Sequence, residues 1–196
     1  AVKSHSIAII GGGPAGYVTA IRMKQYGINV TLFEKKKLGG VCLNRGCIPT
    51  KALVKIADLY REIKHSNDFG INIENFDIDY SKIYQRKNSV VEKLVSGVEF
   101  IFKKMDISLI NEQVTSIKKD SKGFIVKAGQ EMQFTHVIIA TGSVPKELPT
   151  IKFDHENILS STDILNLQEL PPELTVIGGG VIGSEFASIM SQLGVK

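Results

Sequence analysis

Short apolar runs that end in glycine-rich turns open the chain. Residues 6–10 form such a run, and glycines follow at once within residues 11–16. A continuous apolar run predicts a strand that is buried on both faces of a parallel sheet. Residues 17–27 then keep helical spacing up to a glycine, and residues 29–33 predict a second strand. The order strand, glycine turn, helix, strand is typical of a dinucleotide-binding βαβ unit.

Two long helices and several short strands are predicted next. Apolar residues recur every three or four positions over residues 47–64 and 80–104, which indicates amphipathic helices. Four β-rich runs predict a small meander appended to the main sheet, at residues 107–110, 114–118, 123–127 and 132–134. Residues 136–140 again favour a buried strand. The proline-rich and polar residues 143–173 are typical of a connection between domains.

The opening pattern then repeats. Residues 174–177 predict a strand, residues 178–183 are glycine-rich, and helical spacing follows as far as Gly194. We therefore predict an α/β chain with a doubly wound, Rossmann-like domain over residues 1–145 that carries the meander. Residues 146–196 would be a linker and the first βα unit of a second Rossmann-like domain. Because one strand and one helix cannot close a core, we expect the chain to be a truncated piece of a longer protein.

Composition and charge narrow the class of protein. The 196 residues are 43% hydrophobic and 22% charged, which is ordinary for a soluble protein. The sequence has no apolar run near the 18 to 20 residues that a membrane helix needs, and its start has no signal-peptide pattern. The net charge of +4 comes from 24 basic and 20 acidic residues that are interspersed, which argues against nucleic-acid binding. Two cysteines fit a reducing compartment, so we expect a cytoplasmic protein, or a mitochondrial matrix protein in a eukaryote.

The first glycine turn has the residues that a pyrophosphate site requires. Gly11 permits the tight turn, Gly13 allows close approach of the backbone to phosphate, and Gly16 allows the helix to pack near the strand. Glu34, at the end of the second strand, is placed to bind a ribose 2′-hydroxyl and to repel a 2′-phosphate. The acid position of the second unit would follow Lys196, so its choice between NAD and NADP stays open.

The cysteine pair has the spacing and neighbours of a reactive dithiol. Four residues separate Cys42 from Cys47, which fits neither a thioredoxin-like site nor a zinc cluster, and we predict no metal site. Two inert thiols are the alternative. Cys47 opens a predicted helix that also contains Lys51, and both the helix dipole and the ammonium favour thiolate over thiol. Reversible dithiol–disulfide exchange is the better interpretation.

Five segments together resemble the flavin-dependent pyridine nucleotide–disulfide oxidoreductases, and the cysteine segment is similar to their lipoamide branch. They are GGGPAGYVTA at residues 11–20, FEK at 33–35, GGVCLNRGCIPTKAL at 39–53, IIATGSVP at 138–145 and VIGGGVIGSEFAS at 176–188. The resemblance implies FAD in the first domain and NAD in the second. It also implies that protein-bound dihydrolipoamide is oxidised through the cysteine pair and FAD to NAD.

The same resemblance implies roles for individual residues. Cys42 would be the interchange thiol and Cys47 the thiol against the flavin, while Lys51 would lie near the flavin ring, paired with Glu185. The other residues implied to bind FAD are Gly11, Gly13, Pro14, Ala15, Gly16, Glu34, Lys35, Gly40, Val41, Gln113, Thr141 and Gly142. Those implied to meet NAD are Gly178, Gly180, Val181, Ile182 and Gly183.

The implied partners are a lipoyl domain of a 2-oxo acid dehydrogenase complex, the acyltransferase core of that complex, and a second copy in a homodimer. In the family, the partner subunit supplies a histidine–glutamate pair near the carboxyl terminus. These 196 residues lack that pair, so we expect little or no lipoamide turnover from them alone. Arg45, Thr50 and Val41 depart from the family's usual residues, and Arg45 adds positive charge beside the cysteines. The alternatives are an NADPH-dependent reductase similar to glutathione or mercuric reductase, and a non-catalytic flavin-binding or docking module.

Overall fold

The computed structural model describes residues 6–196, so the first five residues of the predicted first domain lie outside the described part. The described residues form two compact units. The first unit contains residues 6–44 and 92–144, and the second contains residues 45–91 and 145–196. The domain boundary near residue 145 stays a prediction.

The elements of the first unit alternate helices and strands before a run of strands. They are β1 (Ser6–Ile10), α1 (Pro14–Gln25), β2 (Asn29–Phe33), α2 (Gly40–Arg45), β3 (Ser108–Ile110), β4 (Ser116–Asp120), β5 (Gly123–Ala128), β6 (Gln130–Phe134) and β7 (His136–Ile139). The second unit contains α3 (Cys47–Lys64), a 3₁₀ turn (Ser66–Phe69), α5 (Ser161–Ile164) and α6 (Val181–Gln192). The long helix α4 (Tyr80–Lys104) has its first half in the second unit and its second half in the first.

The main sheet is parallel and has the strand order β3-β2-β1-β7. Its central strand β1 pairs with β2 on one side and β7 on the other, so Ile9 lies opposite both Leu32 and Ile138. Ile9 and Leu32 in the two central strands are fully buried, as expected for strands covered on both faces. This confirms the α/β, Rossmann-like fold predicted from the apolar runs. The strand predicted at residues 136–140 is present as β7, but it is not buried, since Ile139 is 69% exposed. All four carboxyl ends lie at one edge of the sheet.

The predicted meander is partly wrong. Strands β4, β5 and β6 form a separate three-stranded antiparallel sheet, but the run at 107–110 joins the main sheet as β3, parallel to β2. Ile107 is buried, so the run has the apolar character of a covered sheet rather than of a solvated ribbon. The two sheets share a core in which the Phe33 and Phe134 rings meet edge to face at 5.9 Å.

The second unit is built on a core between α3, α5 and α6. Leu53 and Ala57 of α3 pack in one buried cluster with Phe186, Ile189 and Met190 of α6. These apolar side chains recur at helical spacing, and the predicted helices 47–64 and 80–104 are both confirmed to the residue. No helix of the described residues is long and apolar enough to cross a membrane.

The predicted strand at residues 174–177 is wrong for the described structure. The segment is extended but belongs to no sheet, and Ile177 is 66% exposed. Its hydrogen bonds to Lys196 are confined to its start: Leu174 N–H donates to the Lys196 carbonyl at 2.9 Å, and Lys196 N–H donates to the Pro172 carbonyl at 3.3 Å. An apolar run becomes a parallel strand only when a neighbour completes its ladder of hydrogen bonds.

A buried lysine lies between two elements of the second unit. Lys87 of α4 is 3% exposed, and its ammonium donates to the carbonyl of Leu165 and lies 4.2 Å from the centre of the Tyr84 ring. Desolvation by burial lowers the pKa of Lys87 from 10.5 to about 8. No ion pair involves this lysine among residues 6–196.

The lowered pKa of Lys87 predicts a pH-dependent stability. Between about pH 8 and 10.5 the unfolded chain holds a proton that the folded chain has lost, so this group makes the free energy of unfolding rise with pH, by at most about 1.4 kcal/mol per pH unit. Lys87→Met removes the rise. Denaturant unfolding followed by helical circular dichroism should show the stability difference, Lys87→Met minus wild type, falling as pH increases through this window. A difference that stays constant with pH contradicts the assignment.

Candidate active site

The first glycine turn follows β1 and admits only glycine at its first position. Gly11 has a φ of +107°, and a Cβ at this residue would overlap the carbonyl oxygen of Ala140. Its N–H donates to the Phe33 carbonyl at 2.8 Å, which ties the turn to the end of β2. The turn is therefore fixed from both neighbouring strands, as the sequence predicts for a phosphate turn.

Helix α1 starts from this turn with an open end. Gly13 is its N-cap without a side-chain hydrogen bond, Pro14 occupies the first turn, and that turn has no acidic residue. Pro14 and Ala15 are exposed. A Cβ at Gly16 would overlap the Gly11 carbonyl oxygen, so the helix packs against the turn as closely as glycine allows. Backbone N–H groups and the positive end of the helix dipole are thus available to an anion.

Glu34 is held against the same turn by backbone hydrogen bonds. Its Oε2 accepts the Gly12 N–H at 2.7 Å, and its Oε1 accepts the Lys36 N–H at 2.8 Å. The sequence predicts an acid at this place but does not reveal these bonds. They fix the orientation of the carboxylate beside the turn.

A cavity of about 200 Å³ lies at the carboxyl ends of the main strands. Open α/β sheets bind ligands outside the carboxyl ends of their strands, which is where this cavity lies. Five predicted FAD residues meet around it, and they are Gly11, Glu34, Lys35, Gln113 and Thr141. Phe33, Glu112 and Val114 also line it, and the sequence did not single them out.

A second glycine pair packs on the phosphate turn. Gly39 and Gly40 have φ values of +97° and +58°, and a Cβ at Gly40 would lie 2.5 Å from the Gly13 Cα. The Gly39 N–H donates to the Gly12 carbonyl at 2.8 Å. Helix α2 begins at Gly40, so this contact fixes the start of the helix that carries Cys42. Helix α2 was not predicted from the sequence, because it is only six residues long and begins at a glycine, which is a poor helix former.

The two cysteines occupy different helices. Cys42 is half-buried in α2, and Cys47 is exposed as the first residue of α3. The N-cap of α3 is Gly46, without a side-chain cap, and the first turn of α3 has no acidic residue. Lys51 is exposed one turn later. Cys47 therefore lies at the positive end of α3, in a turn that contains no carboxylate.

The second glycine turn repeats the geometry of the first. Gly178 has a φ of +106°, and a Cβ at Gly183 would overlap the Gly178 carbonyl oxygen. Gly180 is the N-cap of α6 with φ −74° and ψ 175°, against −73° and −176° at Gly13. A cavity of about 710 Å³ adjoins this turn, and its lining includes the predicted NAD residues Gly178, Gly180, Val181, Ile182 and Gly183.

Lys51 and Glu185 lie on two helices that pack together, but both of these residues are exposed. These helices, α3 and α6, share a core. No ion pair joins them in the described part of the chain. Their pairing beside a flavin stays a prediction. The same residues 6–196 contain no cluster of three or more metal-ligating side chains.

A glycine turn and an uncapped helix above a parallel sheet, a second glycine turn and uncapped helix in the other unit, and a cysteine pair are the features of an α/β oxidoreductase with a redox dithiol. The chain belongs to the pyridine nucleotide-disulphide oxidoreductase family, whose model matches residues 5–196.

Individual proteins show which members of this family the chain is similar to. A dihydrolipoyl dehydrogenase of Bacillus subtilis is 44% identical over 96% of this chain, and one of Geobacillus stearothermophilus is 44% identical over all of it. The chain spans 42% of the length of each of these relatives. LpdA from Mycobacterium tuberculosis has a similar fold, with a TM-score of 0.85 and 26% identity over 97% of this chain and 43% of its own. The flavoprotein disulfide reductase RclA from Escherichia coli, solved as a Cu(II) complex, has a TM-score of 0.79 and 33% identity, over 97% of this chain and 40% of its own.

Proposed function

We propose that the first unit binds FAD. The adenosine end would occupy the cavity beside Glu34, with the carboxylate on the ribose, and the pyrophosphate would lie on the N–H groups at the start of α1. The observation that supports FAD most directly is the crowding of Gly11, Gly16 and Gly40, where a Cβ would overlap neighbouring backbone, so that the turn is built from backbone rather than side chains. When bound, FAD supplies two-electron chemistry between a dithiol and a nicotinamide.

The full-length protein is, in this proposal, a dihydrolipoyl dehydrogenase that oxidises protein-bound dihydrolipoamide and reduces NAD. The observation that carries it is the cysteine pair: Cys42 on a helix fixed to the phosphate turn, and Cys47 at the start of the next helix. The 44% identity to dihydrolipoyl dehydrogenases over the whole chain supports the choice of substrate. Cytoplasm, or mitochondrial matrix in a eukaryote, is the proposed location.

The chain's own part of the reaction is a thiol–disulfide exchange. With Cys42 and Cys47 joined as a disulfide, a substrate thiolate attacks the Cys42 sulfur, and Cys47 leaves as the thiolate. The second substrate thiol, once deprotonated, attacks the substrate sulfur of the mixed disulfide and releases Cys42. The substrate becomes a disulfide, and its two electrons and two protons remain with the cysteines and nearby bases.

The second unit would hold the pyridine nucleotide. Its turn at residues 178–183 has the same geometry as the first, and the start of α6 is uncapped. Lys51 and Glu185 would pair near the flavin ring, where the ammonium compensates negative charge. The partners in this proposal are a lipoyl domain, the acyltransferase core of a 2-oxo acid dehydrogenase complex and a second copy of the chain.

A related disulfide reductase that runs in the opposite direction with NADPH is the second candidate. The likeness to RclA, described as a flavoprotein disulfide reductase, favours it. The two candidates differ in the residue at the end of the strand that would follow Lys196: an acid favours NAD, and an arginine favours NADP. Steady-state assays of the full-length protein with dihydrolipoamide and NAD, and with a disulfide substrate and NADPH, separate them. NAD reduction by dihydrolipoamide supports the proposal, and activity confined to NADPH oxidation contradicts it.

Glu34 provides a test of the FAD site. Glu34→Ala removes the ribose partner and leaves the Gly12 N–H without its acceptor, so we expect FAD affinity to fall by about 10- to 100-fold. Glu34→Gln keeps one acceptor oxygen and should lose less. Titration of the apoprotein with FAD, followed by flavin fluorescence, measures both. Lys36→Ala is the matched control, because its backbone N–H still binds Glu34. Equal affinity in Glu34→Ala and wild type contradicts the placement of adenosine.

A further inference from the structure

The ammonium of Lys87 is buried without a carboxylate partner among the described residues. Only 3% of the residue is exposed, and its contacts are the Leu165 carbonyl and the ring of Tyr84. Removing a charge from water costs free energy that one carbonyl and one ring recover only in part. A methionine of similar length would avoid that cost. The charge therefore needs an explanation other than filling the core.

The carbonyl that Lys87 binds directly follows a segment that lines a cavity. Leu165 is the C-cap of the short helix α5 and is itself 3% exposed. The residues just before it, Ser160, Ser161 and Ile164, line the same 710 Å³ cavity as the second glycine turn. Lys87 thus ties α4 to a segment that lines the same cavity as the second glycine turn.

The amino-terminal end of α5 is fixed by hydrogen bonds within its own segment. Ser160 caps α5, with its N–H and hydroxyl 2.7 and 2.6 Å from Asp163 Oδ2. His155 Nδ1 lies 3.0 Å from the same oxygen. These bonds close α5 on itself but connect it to no other helix. The bond from Lys87 is the polar link from α4 to its carboxyl end.

We propose that Lys87 is a positioning residue for pyridine nucleotide binding: by holding the Leu165 carbonyl it keeps residues 160–164 at the distance from the second glycine turn that the nucleotide requires. The inference rests on the proposed function of that turn. Lys87 touches neither nucleotide nor flavin, so its effect is on nucleotide binding and not on the exchange of thiols.

The test is a comparison of Lys87→Met, Lys87→Arg and wild type in the full-length flavoprotein, with Lys93→Met as control. Lys93 is an exposed lysine of the same helix. For Lys87→Met we expect the KM for NAD to rise about tenfold, since a charge-assisted hydrogen bond is lost. The kcat at saturating NAD and the anaerobic rate of flavin reduction by dihydrolipoamide should stay within about twofold. Lys87→Arg keeps the cation and should recover most of the affinity, and Lys93→Met should match wild type.

Two results overturn the inference. One is a KM for NAD in Lys87→Met within twofold of wild type. The other is an equal loss in flavin reduction and NAD reduction, which a merely structural lysine predicts. If Lys87→Met yields no folded protein, Lys87→Gln, which keeps a neutral donor, takes its place. Its KM for NAD and its rate of flavin reduction are then compared with those of wild type by the same criteria. Failure of the proposed function looks different, because the wild-type protein itself then reduces no NAD with dihydrolipoamide.

Discussion

Replacing Cys47 with alanine in the full-length flavoprotein is expected to slow the reduction of its flavin by a dithiol by about 10³-fold or more. The exchange that we propose ends with Cys47 as a thiolate at the positive end of α3, and alanine can neither form the disulfide nor hold the charge. Anaerobic stopped-flow measurement of the flavin absorption after mixing with dihydrolipoamide gives the rate directly.

The control for this variant is Thr50→Ser, which alters the same first turn of α3 but keeps the hydroxyl and both sulfurs. We expect its rate to stay within about threefold of wild type. Flavin content should be equal in both variants. If Cys47→Ala reduces its flavin as fast as wild type while partner binding is intact, the chain is a flavin-binding or docking module and not part of a dithiol oxidase.

The second large effect is expected at Gly16. Its missing side chain allows α1 to lie against the Gly11 carbonyl, and the side chain of Gly16→Val would overlap that oxygen. The helix must then move away from the turn, and its N–H groups move away from the pyrophosphate position. We expect the purified protein to keep less than about a tenth of the wild-type FAD, a loss of at least about 1.4 kcal/mol in binding.

Gly97→Ala is the matched control for Gly16→Val. Gly97 lies inside α4, and a Cβ there meets nothing within 4 Å. Alanine is the better helix former, so this variant should bind FAD normally and gain about 0.5 to 1 kcal/mol in the free energy of unfolding. Measurements of FAD content and of urea unfolding in both variants test these expectations. Normal FAD content in folded Gly16→Val contradicts the proposed pyrophosphate site.

The elements that could be predicted from the sequence are those with strong local periodicity. The helices Cys47–Lys64 and Tyr80–Lys104 present apolar residues every three or four positions, and this pattern predicts their approximate extent. The first strand, turn and helix were equally clear, because an apolar run, three spaced glycines and a periodic segment agree with one another. These local signals also place Gly11, Glu34 and Thr141 at one sheet edge, since parallel strands share their carboxyl ends.

The features that escaped prediction depend on contacts between distant segments. The run at residues 107–110 looks the same in a meander and in a parallel sheet, and only its pairing with β2 decides. Residues 174–177 have the composition of a strand but no neighbour that completes a ladder. The bond from Glu34 to Gly12 joins residues 22 apart, and that from Lys87 to Leu165 joins residues 78 apart. In the sequence, Lys87 is one of several lysines on an amphipathic helix.

The most direct test of the central claim is an anaerobic titration of the full-length protein, purified with its flavin, by dihydrolipoamide. We expect a yellow protein in which one equivalent of the dithiol converts the Cys42–Cys47 disulfide into two thiols that can be alkylated, and in which NAD, added next, is reduced to NADH. Alkylating the cysteines of the reduced protein should prevent a second cycle. A colourless protein, or a cysteine pair that gains no alkylatable thiols when the dithiol is added, contradicts the proposal.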